Sequence, residues 1–146
     1  MSLVKRGEWW YGSSQADIQT ELLRYSQEVG YPAQHFADAV CVCDARIFHL
    51  HLDELEGVAV RVCTKCGVEH PMGDSAEYLE DAELEECECP CGGNSFEITV
   101  GMSLYERSGN VKWLYVGCRC PACGLTACFG DWKNQFEDYR TLLKQM

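Results

Sequence analysis

The sequence predicts an α+β fold made of two small antiparallel β modules, with one helix before them, one after them and an acidic helix between them. Three observations predict it: a cysteine pattern that occurs twice, segments in which apolar and polar residues alternate, and apolar stripes at helical spacing. The 146 residues suit one compact unit, because a domain typically takes roughly 100–200 residues. We expect five segments within it: residues 1–40, 41–73, 74–88, 89–130 and 131–146.

The N-terminal helical segment, residues 1–40, carries a helix that we expect to begin near Ser14. Ser14 and Asp17 have the spacing of a capping box, in which each residue's side chain bonds the other's backbone amide. Gly30 is expected to end the helix, because glycine readily adopts the left-handed conformation that follows a last turn. The apolar stripe in between consists of Ile18, Leu22, Tyr25 and Val29.

All eleven cysteines lie between residues 41 and 130, and most of them fall into a pattern that occurs twice. A Cys-x-Cys at residues 41–43 is followed, after four residues, by Phe48. A second Cys-x-Cys at residues 89–91 is followed in the same way by Phe96. Each copy then closes on a Cys-x-x-Cys-Gly, at residues 63–67 and 120–124. Two copies of so long a pattern indicate an internal repeat.

Strand-like sequence joins the two cysteine pairs of each copy. Alternation of apolar and polar residues is typical of a half-buried strand, and Asp, Gly and Asn mark the turns between the strands. The predicted strands are residues 47–52, 58–62 and 68–70 in the first module, and 96–104, 111–116 and 125–129 in the second.

The cysteines favour metal binding over disulfides. The N-terminus has no apolar signal-like region and no run of 18 apolar residues occurs, so we expect a cytoplasmic protein. Disulfides are rare in that compartment, and so many cysteines there indicate metal ligands. The open end of each hairpin brings a Cys-x-Cys and a Cys-x-x-Cys together, and four thiolates can enclose Zn²⁺ tetrahedrally.

This arrangement resembles the zinc ribbon over residues 41–70 and 89–129, although a Cys-x-Cys stands where ribbons usually have a second Cys-x-x-Cys. Closed sites with four cysteines are structural rather than catalytic. The glycine after each second cysteine lets the backbone turn past the metal, with its amide facing a sulfur. The alignment of the two copies assigns two structural zinc ions, one to Cys41, Cys43, Cys63 and Cys66, and one to Cys89, Cys91, Cys120 and Cys123.

Several other ligand sets remain open from sequence. Cys87 and Cys118 each lie two residues before an assigned ligand, so a shift in register would bring either one in. His70 follows the first Cys-x-x-Cys closely, and Cys66 of the first half could pair with Cys89 of the second. The unassigned Cys87, Cys118 and Cys128 are expected to be small buried hydrophobic residues.

The linker and the C-terminus are both predicted to be helical. Residues 74–88 contain eight acidic residues and no basic one, and begin with a capping-box pattern at Asp74 and Glu77. Residues 131–146 carry an apolar stripe at helical spacing, which consists of Trp132, Phe136, Tyr139 and Leu143.

The charge excludes some classes of partner. A net charge of −11 disfavours nucleic acid and anionic membranes, and favours a basic protein partner. We therefore expect a non-enzymatic protein-interaction module, of which one version is an inhibitor or immunity-type protein for a cationic toxin. The oligomeric state is not predicted.

Three other functions remain open from sequence. One is an accessory factor of a transcription or translation machine, and another is a redox or zinc-storage protein. The third is an enzyme that uses a free cysteine or the polar face formed by His49, His51 and Asp53.

Overall fold

The computed structural model describes residues 3–146; Met1 and Ser2, at the start of the N-terminal segment, lie outside the described part. Antiparallel sheets dominate it. The six-stranded sheet runs in the order β1 (Val4–Arg6), β2 (Trp9–Tyr11), β10 (Leu125–Phe136), β9 (Val111–Arg119), β8 (Glu97–Leu104) and β3 (His35–Asp38). The four-stranded sheet runs in the order β6 (Glu69–Pro71), β5 (Val58–Cys63), β4 (Phe48–Asp53) and β7 (Glu85–Glu86).

The predicted hairpins are present in both sheets. Strands β4, β5 and β6 form one antiparallel meander, and β8, β9 and β10 form the other. In β4 the apolar side chains are buried while His49, His51 and Asp53 are half-buried, as the alternation predicts. The sequence analysis did not anticipate the hairpin of β1 and β2, which extends the six-stranded sheet at its β10 side.

Helix α1 spans Ala16–Val29, close to the predicted range. Gly30 ends it with φ 98°, as expected. The capping box is only half formed, because the helix begins one residue later than predicted, with Gln15 at the cap position. The reciprocal contact is made, since the Asp17 carboxylate accepts the amide N–H of Ser14 at 3.1 Å.

The six-stranded sheet lies between α1 and the four-stranded sheet. On one face, Ile18 and Leu22 of α1 pack with Tyr115 of β9. Helix and sheet approach closely at Gly117, where a Cβ atom would lie 2.5 Å from the Ile18 side chain. On the other face, a continuous core joins the buried residues of both sheets. The boundaries of the five predicted segments remain predictions.

Two short strands connect the two modules. Strand β3 precedes the first Cys-x-Cys but pairs with β8, in the second module. Strand β7 precedes the second Cys-x-Cys but pairs with β4, in the first module. The sequence did not reveal this exchange, because each strand pairs with residues far away in the chain.

The prediction of a helix over residues 131–146 is confirmed only for the last part of that range. Strand β10 continues to Phe136, and α2 spans only Tyr139–Leu143. Residues 131–136 pair with β9, so that Trp132 and Asn134 are buried on alternate positions. Sheet pairing thus overrides the helical spacing of the apolar residues in this segment.

The predicted acidic helix is also replaced. Residues 74–88 form two single 3₁₀ turns, Ser75–Glu77 and Leu79–Asp81, followed by β7. Acidic side chains three or four residues apart repel each other on a helix, and no basic residue relieves the repulsion. Asp74 does not cap a helix here, because its carboxylate accepts the side-chain amide of Asn134 at 3.1 Å.

Candidate metal centres

The first group of thiols lies at the end of the β4–β5 hairpin. The sulfurs of Cys41 and Cys66 are 3.5 Å apart, and those of Cys43 and Cys63 are 3.6 Å apart. All four sulfurs lie within 4.8 Å of one another. Cys41 and Cys63 are buried, whereas Cys66 is exposed, so the group lies at the surface with one side against the core.

The second group has the same form at the end of the β8–β9 hairpin. Its sulfur pairs are Cys89 with Cys123 at 3.6 Å and Cys91 with Cys120 at 3.7 Å, and all four sulfurs again lie within 4.8 Å. Cys89 and Cys120 are buried, while Cys91 and Cys123 are exposed. The structure therefore brings together the two sets of four cysteines that the sequence analysis selected.

The sulfur separations suit a tetrahedral metal ion. With a Zn–S bond near 2.3 Å, the edge of a ZnS₄ tetrahedron is about 3.8 Å. The measured pairs, from 3.5 to 3.7 Å, are close to that edge. They are much longer than a disulfide bond of about 2.0 Å, and the cysteines are free thiols. Each group could thus hold one metal ion.

The two Cys-x-Cys turns have the same backbone hydrogen bonds. Cys41 donates its amide to Ala45 O at 2.9 Å, and Cys89 donates to Gly93 O at 2.7 Å. The third residue after each first cysteine donates back to that cysteine's carbonyl, at 2.8 Å in both turns. That residue has a positive φ in both, 72° at Asp44 and 95° at Gly92. Asp adopts this left-handed region more readily than most residues do, which explains why the first turn can have Asp44 where the second has glycine.

The two Cys-x-x-Cys-Gly turns also match. Gly67 donates its amide to Cys63 O at 3.0 Å, and Gly124 donates to Cys120 O at 2.7 Å. Both glycines have positive φ, 78° and 86°. The expectation that the glycine amide faces a sulfur is wrong, because that amide closes the turn on the carbonyl. The amides that reach a sulfur at 3.4 Å are those of Lys65 and Cys66 to Cys63, and of Leu125 to Cys123.

The amide contacts shift thiol acidity. The N–H groups of Cys66 and Lys65 lower the pKa of Cys63 to about 6, because they stabilise the thiolate. In the second group the amide of Gly93 lowers the pKa of Cys91, while burial raises the pKa of Cys89. Metal ligands must be deprotonated, so each group has one thiol whose backbone contacts favour the form that binds metal.

Arg61 is a buried cation next to the first group, and the sequence analysis missed it. It donates Nε–H to Met146 O at 2.7 Å and lies over the Phe48 ring at 4.7 Å. Burial lowers the pKa of Arg61, and the nearby thiols of Cys41 and Cys63 oppose this shift. A signal was present in the sequence, since Arg61 lies two residues before Cys63 in an otherwise apolar strand and so shares its face.

The remaining cysteines belong to neither group. Cys118 is fully buried, Cys87 is half-buried, and Cys128 donates its S–H to Gly130 O at 3.2 Å. Burial raises the pKa of all three thiols. Within residues 3–146 the two metal-compatible groups include none of them. The register shifts through Cys87 and Cys118 are thereby disfavoured, as is a set that crosses between the halves.

The histidines also lie outside both groups. The Nε2 atom of His70 contacts Gln145 O at 2.6 Å, and the Nδ1 atom of His49 contacts Asn94 O at 2.9 Å. Asp53 joins the β4–β5 turn to the linker, because its carboxylate accepts the backbone N–H groups of Leu55 at 3.0 Å and of Glu83 at 2.8 Å. The amide of Glu83 is the main cause of the lowered pKa of Asp53. In the described part of the chain, these side chains form no metal-compatible cluster.

No protein-family model matches the chain, and no curated protein or solved structure matches it. Within residues 3–146, no helix has both the length and the apolar character needed to cross a membrane. The function must therefore be inferred from this chain's own residues.

Proposed function

We propose that this protein is a zinc-stabilised interaction module in which two structural zinc ions hold the fold and the acidic surface binds a basic protein. The observation that carries the proposal is the pair of four-thiol groups, each with sulfur separations near the edge of a ZnS₄ tetrahedron. Four cysteine ligands complete a tetrahedral shell, which suits a structural role and leaves no position for a substrate.

Zinc would contribute strongly to folding here. An isolated two-stranded hairpin such as β4–β5 is at best marginally stable in water, and a structural zinc site contributes on the order of 10 kcal/mol to folding. Each group joins the chain before the first strand of a hairpin to the chain after its second strand, so a bound ion would cross-link the hairpin at its open end.

The two zinc modules are, in this proposal, copies of one unit related by an internal two-fold axis. Phe48 and Phe96, which occupy the same place in the repeat, exchange both backbone hydrogen bonds with each other at 2.8 and 2.7 Å. A pair of equivalent residues that bond reciprocally is what a two-fold axis between copies produces.

The exchanged strands support the same relation. Asp38, three residues before the first Cys-x-Cys, pairs with Thr99, three residues after Phe96. Glu86, three residues before the second Cys-x-Cys, pairs with His51, three residues after Phe48. The register is identical in the two exchanges.

The basic partner is inferred from charge. The chain carries 23 acidic and 12 basic residues, and the eight acidic residues of the 74–88 linker are mostly exposed. Such a surface accelerates association with a cation and repels nucleic acid. In the inhibitor version the partner is a cationic enzyme, and in the accessory-factor version it is the protein part of a nucleic-acid machine. We propose no catalytic residue, and place the protein in the cytoplasm.

Native mass spectrometry of the full chain, with and without a chelator, tests the zinc part of the proposal. We expect two zinc ions per chain and a loss of folded signal when they are removed. A single bound ion would contradict it. So would a chain without zinc whose mass is lower by two hydrogen atoms per disulfide, which would show that the cysteines are oxidised. Capture of basic proteins by the zinc-loaded chain tests the second part, with a chain whose linker acids are changed to amides as the matched control.

A further inference from the structure

A cleft outside the thiol groups combines a buried acid, two aromatic walls and two unpaired polar atoms. Its volume is about 370 Å³, far more than a single water molecule needs. Three segments meet around it: the β4–β5 turn, the first part of the acidic linker and the second half of β10. The lining residues on which the inference depends are Glu56, Gly57, Asp74, Tyr78, Trp132 and Asn134.

Two buried polar atoms of the residues that line this cleft have no hydrogen-bond partner in the protein. Trp132 and Asn134 are each only 6 % exposed, yet Trp132 Nε1 and Asn134 Oδ1 have no hydrogen-bond partner. An unpaired buried donor or acceptor costs about 1–3 kcal/mol, so native proteins rarely retain one without a reason. One atom offers a proton and the other accepts one, and both side chains line the same cleft.

The charged residues that line the cleft are two acids, Asp74 and Glu56, and one base, Lys133, so acidic groups outnumber basic ones. Asp74 is 8 % exposed, and its carboxylate accepts the neutral side-chain amide of Asn134, at 3.1 Å to each oxygen. Glu56 adds a second, exposed carboxylate at the rim. A carboxylate oxygen has more than one lone pair, so Asp74 retains the capacity to accept further hydrogen bonds.

Aromatic surface completes the cleft. Tyr78 is 49 % exposed, which leaves much of its ring available to a ligand. The indole of Trp132 faces Gly57, where a Cβ atom would lie 3.2 Å from Nε1. Gly57 has φ 71°, so glycine suits the turn conformation and at the same time keeps this side of the indole uncovered.

We propose that this cleft binds an arginine side chain of the basic partner, an inference that rests on the proposed function. A guanidinium is planar and carries five N–H donors, so it stacks on an aromatic ring while it donates to a carboxylate and an amide oxygen. Tyr78 provides the ring, and Asp74 with Asn134 Oδ1 provides the acceptors. The indole N–H of Trp132 then donates to a backbone carbonyl of the same partner segment.

The test uses the zinc-loaded full chain, labelled with ¹⁵N, and a blocked Gly-Arg-Gly peptide. The readout is the indole N–H signal of Trp132, assigned by its loss in Trp132→Phe. We expect a saturable shift with the arginine peptide and none with the same peptide containing citrulline, which is isosteric and uncharged. A Gly-Lys-Gly peptide should bind more weakly, because an ammonium cannot stack and donate in the same plane.

Two exposed substitutions test the cleft without disturbing the core. Tyr78→Ala should weaken binding about threefold to thirtyfold, the range of a cation–aromatic contact. Glu56→Gln should weaken it less, and more so at low salt than at high salt. Trp9→Ala and Glu8→Gln are the matched controls, because both residues are exposed and neither lines the cleft. They should leave the affinity unchanged.

Several results would overturn the inference: equal binding of the citrulline peptide, an unmoved Trp132 signal at saturating arginine peptide, or an affinity indifferent to Tyr78→Ala. Each of these leaves the zinc count and the capture of basic proteins untouched, and so separates failure of the cleft from failure of the proposed function. Capture of a basic protein with no shift of the Trp132 signal would likewise contradict arginine binding in the cleft and leave the proposed function standing.

Discussion

The two thiol groups have the same backbone frame but different surroundings. Their turns share hydrogen bonds and positive φ angles at matching positions. Two residues before the Cys-x-x-Cys, however, the first module has the buried cation Arg61 and the second has the buried thiol Cys118. A site of four thiolates around Zn²⁺ carries a charge of −2, so Arg61 offsets part of that charge in the first module only.

This difference shows that the charge around a group of four thiols can change while the four cysteines and their turns stay the same. The turns decide where the sulfurs lie, and local sequence decides the turns. The neighbouring strand decides the charge around the sulfurs, and there the two copies have diverged. A second divergence lies on the opposite face of the six-stranded sheet, where α1 covers the second module at Gly117 and the first module has Val60 at the matching position.

The largest expected effect is loss of one ion from either group. Cys66→Ser and Cys123→Ser change exposed cysteines at matching positions, and each should reduce the metal content from two ions to one, as measured by native mass spectrometry. Because a structural zinc contributes on the order of 10 kcal/mol, comparable to the whole stability of a domain, each variant should also unfold at a much lower denaturant concentration.

The control for this pair is Cys87→Ser, which changes a half-buried cysteine outside both groups. It should retain two ions. Loss of an ion from this variant would show that Cys87 is a ligand and that the register in the second module is wrong.

Replacement of Arg61 should distinguish the two groups. Arg61→Met leaves the first group without its neighbouring cation and Met146 O without its donor. A hydrogen bond that involves a charged group contributes about 1.5–3 kcal/mol, so we expect a loss of stability near that size. We also expect the first group to release zinc to a chelator faster than in the parent chain. The release is followed by native mass spectrometry of the chain with both groups intact, as the rate at which the form with two ions becomes the form with one.

Lys65→Met is the matched control, because Lys65 is an exposed cation in the same module. Its effect on release should be small, since solvent screens an exposed charge. If both substitutions accelerate release equally, the burial of Arg61 has no special role and the two groups differ less than their surroundings suggest.

A smaller effect is expected at the helix contact of the second module. Gly117→Ala would place a methyl group 2.5 Å from Ile18, so helix or sheet must shift. Overpacking of this kind costs about 1–3 kcal/mol, which denaturant unfolding would measure. Gly109→Ala, whose Cβ would meet nothing closer than 3.9 Å, serves as the control. A Gly117→Ala chain as stable as the parent would mean that α1 is not held closely against the sheet.

The smallest effect is expected at Asp53, which ties the linker to the first module. Asp53→Asn weakens the acceptor for the Glu83 amide, at 2.8 Å in the parent chain. Because Asp53 is solvated, we expect little change in global unfolding and faster hydrogen exchange at Glu83, observed by NMR. The Leu125 amide, which belongs to the second module, should exchange at its parental rate. Unchanged exchange at Glu83 would show that the linker is held by other contacts.

Local chemistry made much of this molecule predictable. The eight cysteines of the two groups were identified because ligand spacing and the repeat are written in short stretches of chain. Helix α1 followed from a stripe of residues three and four apart, and the hairpins followed from alternation with turn residues between. Residues 74–88 and 131–136 were wrongly predicted to be helical for the same reason, because a local pattern was the only signal available. In residues 131–136 pairing with β9 overrides that pattern, and in residues 74–88 repulsion between like charges does so.

The sequence by itself determined the turns that present the thiols, since each turn is formed by residues within four positions of one another. Only the tertiary structure decided that β3 and β7 exchange between modules, and that Trp132 and Asn134 line a cleft with Asp74. These features depend on which of several possible strand pairings buries the most apolar surface with its hydrogen bonds satisfied. That balance is summed over the whole chain and leaves no local mark in the sequence.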